Sequence, residues 1–110
     1  MGESYRVTWA PVALGDLDEI LAFAESEQAG RASKLRAKFE RAAGRLARFP
    51  HRGRVVPELR ELGFLALREL VIDPWRLVYR VEGRDVRVVT VFDGRRDPAE
   101  MLTRRLLRAV

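Results

Sequence analysis

The 110 residues predict a two-layer α+β fold, β-αα-βββ-α, in which an antiparallel meander sheet packs against a helical hairpin. Three observations carry that prediction. Apolar residues recur at steps of three and four between residues 11 and 49, and they alternate with polar ones between residues 65 and 92. A helix-start signal then follows at Asp97-Pro98-Ala99-Glu100.

Tyr5–Trp9 alternates, with Tyr5, Val7 and Trp9 on one face and Arg6 and Thr8 on the other, which predicts a first strand with one buried face. Pro11 ends it and suits the first position of a helix. Ala13, Leu14, Leu17, Ile20, Leu21 and Ala24 then recur at helical spacing, placing Asp16, Asp18 and Glu19 on the wet side. Gln28–Gly30 interrupts the pattern. A second helix is expected over Arg31–Phe49, where Ala32, Leu35, Phe39, Ala42, Leu46 and Phe49 form one seam. So short a connection makes the two helices antiparallel neighbours.

Pro50 and Gly53 stop the second helix, and Arg52–Gly63 reads as a connecting arm. Three strands follow, over Leu65–Ile72, Trp75–Val81 and Val86–Phe92, with turns at Asp73-Pro74 and Glu82–Asp85. The middle strand puts Trp75, Leu77, Tyr79 and Val81 on one face and Arg76, Val78 and Arg80 on the other. Asp97 is the expected N-cap of the last helix, with Pro98 at its first position and Glu100 completing a capping box. Met101, Leu102, Leu106 and Ala109 give that helix one apolar stripe, destined for the core or for a partner. With no repeat, low-complexity tract or linker, residues 1–110 make one domain.

Charge is distributed unevenly. The formal net charge of +5 hides a segment 1–30 at −5, a segment 31–54 at +8 and a remainder at +2. Acidic first helix against basic second helix permits salt bridges between them, and most cations of the second helix are expected on a solvated face. Of the 21 basic residues 19 are arginine. Codon usage in a GC-rich genome explains such a bias, and so does the fit of a planar guanidinium to phosphates and carboxylates.

Composition excludes several chemistries. Without cysteine there are no disulfides or thiolate metal sites, which fits a reducing compartment. His51 is the only histidine, so neither a histidine metal site nor a Ser-His-Asp triad is expected. Gly94-Arg95-Arg96 is too short for a phosphate-cradling loop, and no cofactor is implied. The longest apolar runs fall far below the roughly 20 residues of a membrane span, and the N-terminus lacks a secretory signal, so a cytoplasmic protein is expected. What remains distinctive is arginine within apolar strands: Arg68, Arg76 and Arg80, with Arg95 and Arg96 directly after the last strand. Several guanidiniums on one sheet point to a polyanion or carboxylate site.

Five stretches, in order, resemble the RelE/ParE toxin superfamily, and most of all the ParE toxins of type II toxin–antitoxin systems. They are Tyr5-Arg6-Val7-Thr8-Trp9-Ala10-Pro11 with Ala13 and Asp16-Leu17, then the run from Pro50 to Arg60, then Arg68-Glu69-Leu70-Val71-Ile72, then Trp75-Arg76-Leu77-Val78-Tyr79-Arg80-Val81, and finally Val91-Phe92-Asp93-Gly94-Arg95-Arg96. The resemblance implies a toxin neutralised by a cognate antitoxin, whose acidic, partly disordered C-terminal segment wraps the toxin. Arg68, Arg80, Leu102 and Leu106 are the residues expected to meet it. Trp75, Arg76, Arg95 and Arg96 are expected to meet the target.

Two mechanisms divide the superfamily. ParE-like members inhibit DNA gyrase and are not themselves enzymes, whereas RelE-like members cut mRNA on the ribosome. Arg76 and Arg96 match the strand and post-strand arginines that the ribonucleases set against phosphate. Leu102 stands where those enzymes carry a C-terminal tyrosine, Leu67 and Glu69 where they carry lysines, and Asp93 where a histidine is frequent. The pKa of arginine is so high that the group is already protonated and cannot accept the proton of an attacking hydroxyl, which favours gyrase as target over a ribonuclease. A module that only tethers its antitoxin is a third possibility.

Overall fold

The computed structural model describes residues 4–109, apart from the side chains of Pro98 and residues 105–109. Strand β1 (Arg6–Trp9) leads into α1 (Pro11–Glu27) and α2 (Arg31–Gly44), the latter prolonged by a 3-10 turn at Arg45–Ala47. β2 (Arg54–Val55) and the single-turn α3 (Pro57–Arg60) precede β3 (Arg68–Ile72), β4 (Trp75–Glu82), β5 (Asp85–Asp93) and α4 (Pro98–Ala109). The five strands lie in the order β1-β5-β4-β3-β2. The meander β3-β4-β5 is antiparallel as expected, while β1 pairs in parallel with β5. The sequence reading left the placement of β1 open.

The hairpin α1–α2 covers one face of the sheet. Leu17, Leu21, Leu35, Phe39 and Leu46 meet Leu77, Tyr79, Val86, Val88 and Val91 in one buried cluster. The turn between the helices is set by Gly30, whose φ of +86° only glycine adopts without strain. The Glu25 carboxylate reaches over from α1 to accept the Gly30 and Ala32 amides, satisfying donors that the start of α2 leaves open. Phe49, placed in the seam by its spacing, is exposed, because the chain tightens into the 3-10 turn before reaching it.

The opposite face of the sheet is covered too. Val56, Leu67, Val78, Val89 and Phe92 pack with Met101 and Leu102 in a second cluster, so the terminal helix and the arm act as a third layer. The apolar stripe of α4 is therefore core at Met101 and Leu102. Asp97 caps that helix, its Oδ1 accepting the Ala99 and Glu100 amides at 3.1 and 3.5 Å. The arm, read as a plain connection, contains β2 and α3, and β3 begins at Arg68 rather than Leu65.

Two sequence expectations about charge fail. Asp16 is buried, not wet: its Oδ2 accepts the Thr90 hydroxyl at 2.7 Å and the Val91 amide at 3.0 Å. The cause is a bulge. Val78 pairs with Thr90 and Tyr79 with Val88, so Val89 is an extra residue and the ladder is locally interrupted. Asp16 supplies an acceptor just beyond that interruption. Nor do salt bridges run along the helical hairpin; among the described residues the pair joining its helices is Arg31–Glu27, at the turn.

Candidate functional site

Arg76 lies on the sheet face away from the hairpin, as its parity predicts, but that face is covered around it and the residue is buried. Its Nε and Nη2 donate to Glu69 Oε1 at 2.8 and 2.5 Å, and Nη2 and Nη1 donate to the two oxygens of Glu58 at 2.7 and 3.2 Å. The second oxygen of Glu69 accepts from Arg54 at 2.6–2.7 Å. The guanidinium also lies over the Phe92 ring, 5.4 Å from its centre. A fully buried carboxylate is tolerable only with such pairing, and two guanidiniums supply it.

These bonds set the titration of the cluster. Hydrogen bonds from Arg76 are the main reason that Glu58 holds its proton less readily than an ordinary glutamate. Burial alone would weaken the charge on Arg76, but the bonds to Glu58 and Glu69 outweigh it and the pKa rises. The cluster anchors the arm: β2 carries Arg54, α3 carries Glu58, and the meander carries Glu69 and Arg76. Arg68 acts alike, its guanidinium donating to the carbonyls of His51 and Gly53 at 3.3 and 2.7 Å. Gly53 donates its amide to the buried Tyr79 hydroxyl at 2.9 Å, and burial raises the Tyr79 pKa.

Outward-facing groups gather instead at the end of the β4–β5 pair. Gly94 packs so closely on the stem of Arg76 that a β-carbon there would sit 2.9 Å from it, and its amide donates to the Pro74 carbonyl. The chain thus leaves the sheet on a fixed support with Arg95 and Arg96 projecting. The Arg95 side chain, 76% exposed, grips Asp93 through two bonds of 3.0 and 2.7 Å, which is the main reason that the Asp93 pKa is lowered. Arg96 and Trp75 line one small cleft, about 140 Å³, together with Glu19, Asp93 and Met101. Trp75 is half-buried, and its ring lies 5.6 Å from that of Phe39, tilted by 56°.

Of the residues expected to meet a target, the structure therefore brings Trp75, Arg95 and Arg96 to one accessible end of the sheet and places Arg76 beneath them as their support. Of those expected to meet an antitoxin, Arg80 is exposed and paired with Glu82, Arg68 is tied to the arm, and Leu102 is covered by the chain itself. The side chain of Leu106 lies outside the described residues. Among the described residues, no cluster of His, Asp and Glu is placed to hold a metal ion, and no helix is long and apolar enough to cross a membrane.

Residues 7–98 match the family model of the ParE toxin of the type II toxin–antitoxin system parDE. The chain belongs to the ParE toxin family. It is 34% identical to Toxin ParE3 of Caulobacter vibrioides over 89 residues, 80% of this chain and 85% of that one. Among solved structures it is similar to the chromosomal ParDE toxin–antitoxin system of P. aeruginosa, with a TM-score of 0.70 over 84% of this chain and 98% of that one. At 18% identity that likeness speaks for the fold. It is also similar to the toxin–antitoxin complex RelBE2 of Mycobacterium tuberculosis, at 26% identity and a TM-score of 0.57 over 82% of this chain and 91% of that one. A ParE toxin of a type II toxin–antitoxin system is thus the class of this protein, and the ParE-matching span includes Trp75, Arg76, Arg95 and Arg96.

Glu58 and Glu69 are not among the site residues expected from the sequence, although both partner Arg76. One signal was available: an arginine inside an apolar strand, with one acid seven residues before it and others in the preceding arm. The sequence reading also missed a basic groove beside α2, built from Lys38, Arg41 and Arg45 on the helix and Arg52 and Arg54 on the arm.

Proposed function

We propose that this ParE toxin inhibits DNA gyrase in the cytoplasm, engaging it through Trp75, Arg95 and Arg96 at the end of the β4–β5 pair. The observation that carries the reading is the state of Arg76. A ribonuclease of this superfamily needs its strand guanidinium free to meet a phosphate, whereas here Nε, Nη1 and Nη2 are all engaged by Glu58 and Glu69. A buried, paired guanidinium supports a binding surface and offers little stabilisation to a developing phosphorane charge. Arg95 and Arg96 stay accessible on a rigid support, as an interface anchor requires.

A cognate antitoxin is the second partner. Leu62, Phe64 and Leu65 stand exposed on the loop before β3, Leu62 at 81%. Apolar side chains grouped in this way suit a partner that orders on binding, and Arg80 offers a charged contact for an acidic segment. Expression in cells tests the target. The toxin is expected to leave a reporter plasmid relaxed or cleaved, with message lengths intact. Codon-positioned cuts in mRNA with normal plasmid supercoiling would contradict the reading and favour the ribosome.

A further inference from the structure

The basic groove is an open channel of about 590 Å³ between α2 and the outer edge of β3. One wall is helical: Lys38 and Arg41 on α2 and Arg45 at the start of its 3-10 extension follow one another at steps of three and four. The other wall is the arm, with Arg52 and Arg54. β2 pairs with β3 only at Arg68 and Glu69, so the 70–72 stretch of β3 forms the floor.

The balance of charge in this channel is one-sided. Arg54 is consumed by Glu69, and Glu69 in turn by Arg76. Among the described residues, Lys38, Arg41, Arg45 and Arg52 have no carboxylate within ion-pair distance. Asp73, at the end of the floor, is the one other carboxylate that lines the channel, so four cations share a single counter-charge and repel one another. A fold can leave that repulsion in place when a ligand relieves it.

We infer that the groove between α2 and the β3 edge holds the sugar–phosphate backbone of a nucleic acid, without regard to sequence. The geometry separates this from an acidic peptide. The three cations of the helical wall span about 10 Å along the helix axis. A nucleic acid strand carries an anionic group on every nucleotide, so the charges it brings to the channel do not depend on its sequence. An extended peptide brings one only where Asp or Glu stands, with like-facing side chains about every 6.8 Å. Adding to the open β3 edge, it would turn those side chains toward the two sheet faces, away from the arm wall. Guanidiniums, which make up three of the four unpaired cations, also grip phosphate in the two-point manner that fixes a backbone. The inference does not rest on the gyrase reading, because the groove and the Trp75–Arg96 cleft share no lining residue.

The test is fluorescence anisotropy of the purified full chain with labelled 16-nucleotide single-stranded DNA, the same sequence as duplex, and the same sequence as RNA, from 50 to 200 mM salt. Binding is expected in every arm. With about four phosphates neutralised, the duplex affinity falls roughly a hundredfold across that range. The variant K38Q/R41Q/R45Q, altered only at exposed positions, is expected to bind at least tenfold more weakly and to lose most of the salt dependence. Arg6→Gln and Arg31→Gln, at exposed arginines elsewhere, are expected to stay within twofold of the parent. The DNA and RNA arms show which nucleic acid is preferred. Three results overturn the inference: no binding at 50 mM salt, binding unchanged in the folded triple variant, or displacement of the duplex by an acidic peptide of equal charge at a lower concentration than unlabelled duplex needs. Gyrase inhibition by the triple variant separates this inference from the proposed function, since either can fail while the other stands.

Discussion

Arg76 and Glu69 form a buried ion pair on the sheet face opposite the helical hairpin, Nη2 to Oε1 at 2.5 Å, with the carboxylate side chain wholly out of solvent. The pair ties β4 to β3, and through Glu58 and Arg54 it ties both to the arm. Glu69→Ala leaves two guanidiniums facing a cavity with less counter-charge. It is expected to cost about 3 kcal/mol of unfolding free energy. E69L with R76M, replacing both partners by apolar groups, is expected to cost less than E69L alone, which denaturant titration of the three proteins measures.

Gly53 lies too close to β3 and β4 to carry a side chain. A β-carbon there would lie 2.6 Å from the Glu69 carbonyl oxygen and 2.7 Å from the Tyr79 hydroxyl. Gly53→Ala is expected to destabilise by about 2 kcal/mol through overpacking. Gly15, at an exposed position of α1, has open space around it, and Gly15→Ala is expected to stabilise by about 0.5–1 kcal/mol. Tm values of opposite sign from the same small substitution check the pair.

Asp16 is expected to be the most consequential acid of α1. Asp16→Ala strands the Thr90 hydroxyl and Val91 amide at the β5 bulge and is expected to cost about 1.5–3 kcal/mol. Asp18→Ala, at an exposed position on the same helix, is expected to stay within about 0.5 kcal/mol.

Stability is expected to fall at both ends of the pH scale. The Glu58 pKa is lower in the folded state, so its contribution is complete above the unfolded value of about 4.3 and is lost as pH falls through the folded one. The Tyr79 pKa is raised by burial, so its contribution is complete below the unfolded value of about 10 and is lost as pH rises toward the folded one. Glu58→Gln is expected to flatten the acid limb and Tyr79→Phe the alkaline limb in urea titrations at fixed pH.

What was legible in the sequence was periodic. The seam of Leu35, Phe39 and Leu46 and the alternation of Trp75, Leu77 and Tyr79 fix the hairpin, the meander and their contact, because each depends on neighbours one or two turns away. Asp97 was legible as a cap for the same local reason. Asp16 was not, since its acceptor role depends on a bulge 74 residues downstream. The parity of Arg76 was right, but parity names a face and cannot say what covers it; that depends on where the arm and α4 return. The cations of α2 read as a solvated face, because a groove exists only once Arg52 and Arg54 stand opposite them.

The most direct test is a supercoiling and cleavage assay with purified gyrase, adding the toxin or its folded R95A/R96A variant. The account predicts lost supercoiling or accumulated cleaved DNA with the toxin, reversed by its antitoxin, and at least tenfold more of the variant for the same effect. Full gyrase activity at toxin concentrations well above those of the enzyme, or equal inhibition by the variant, would contradict it.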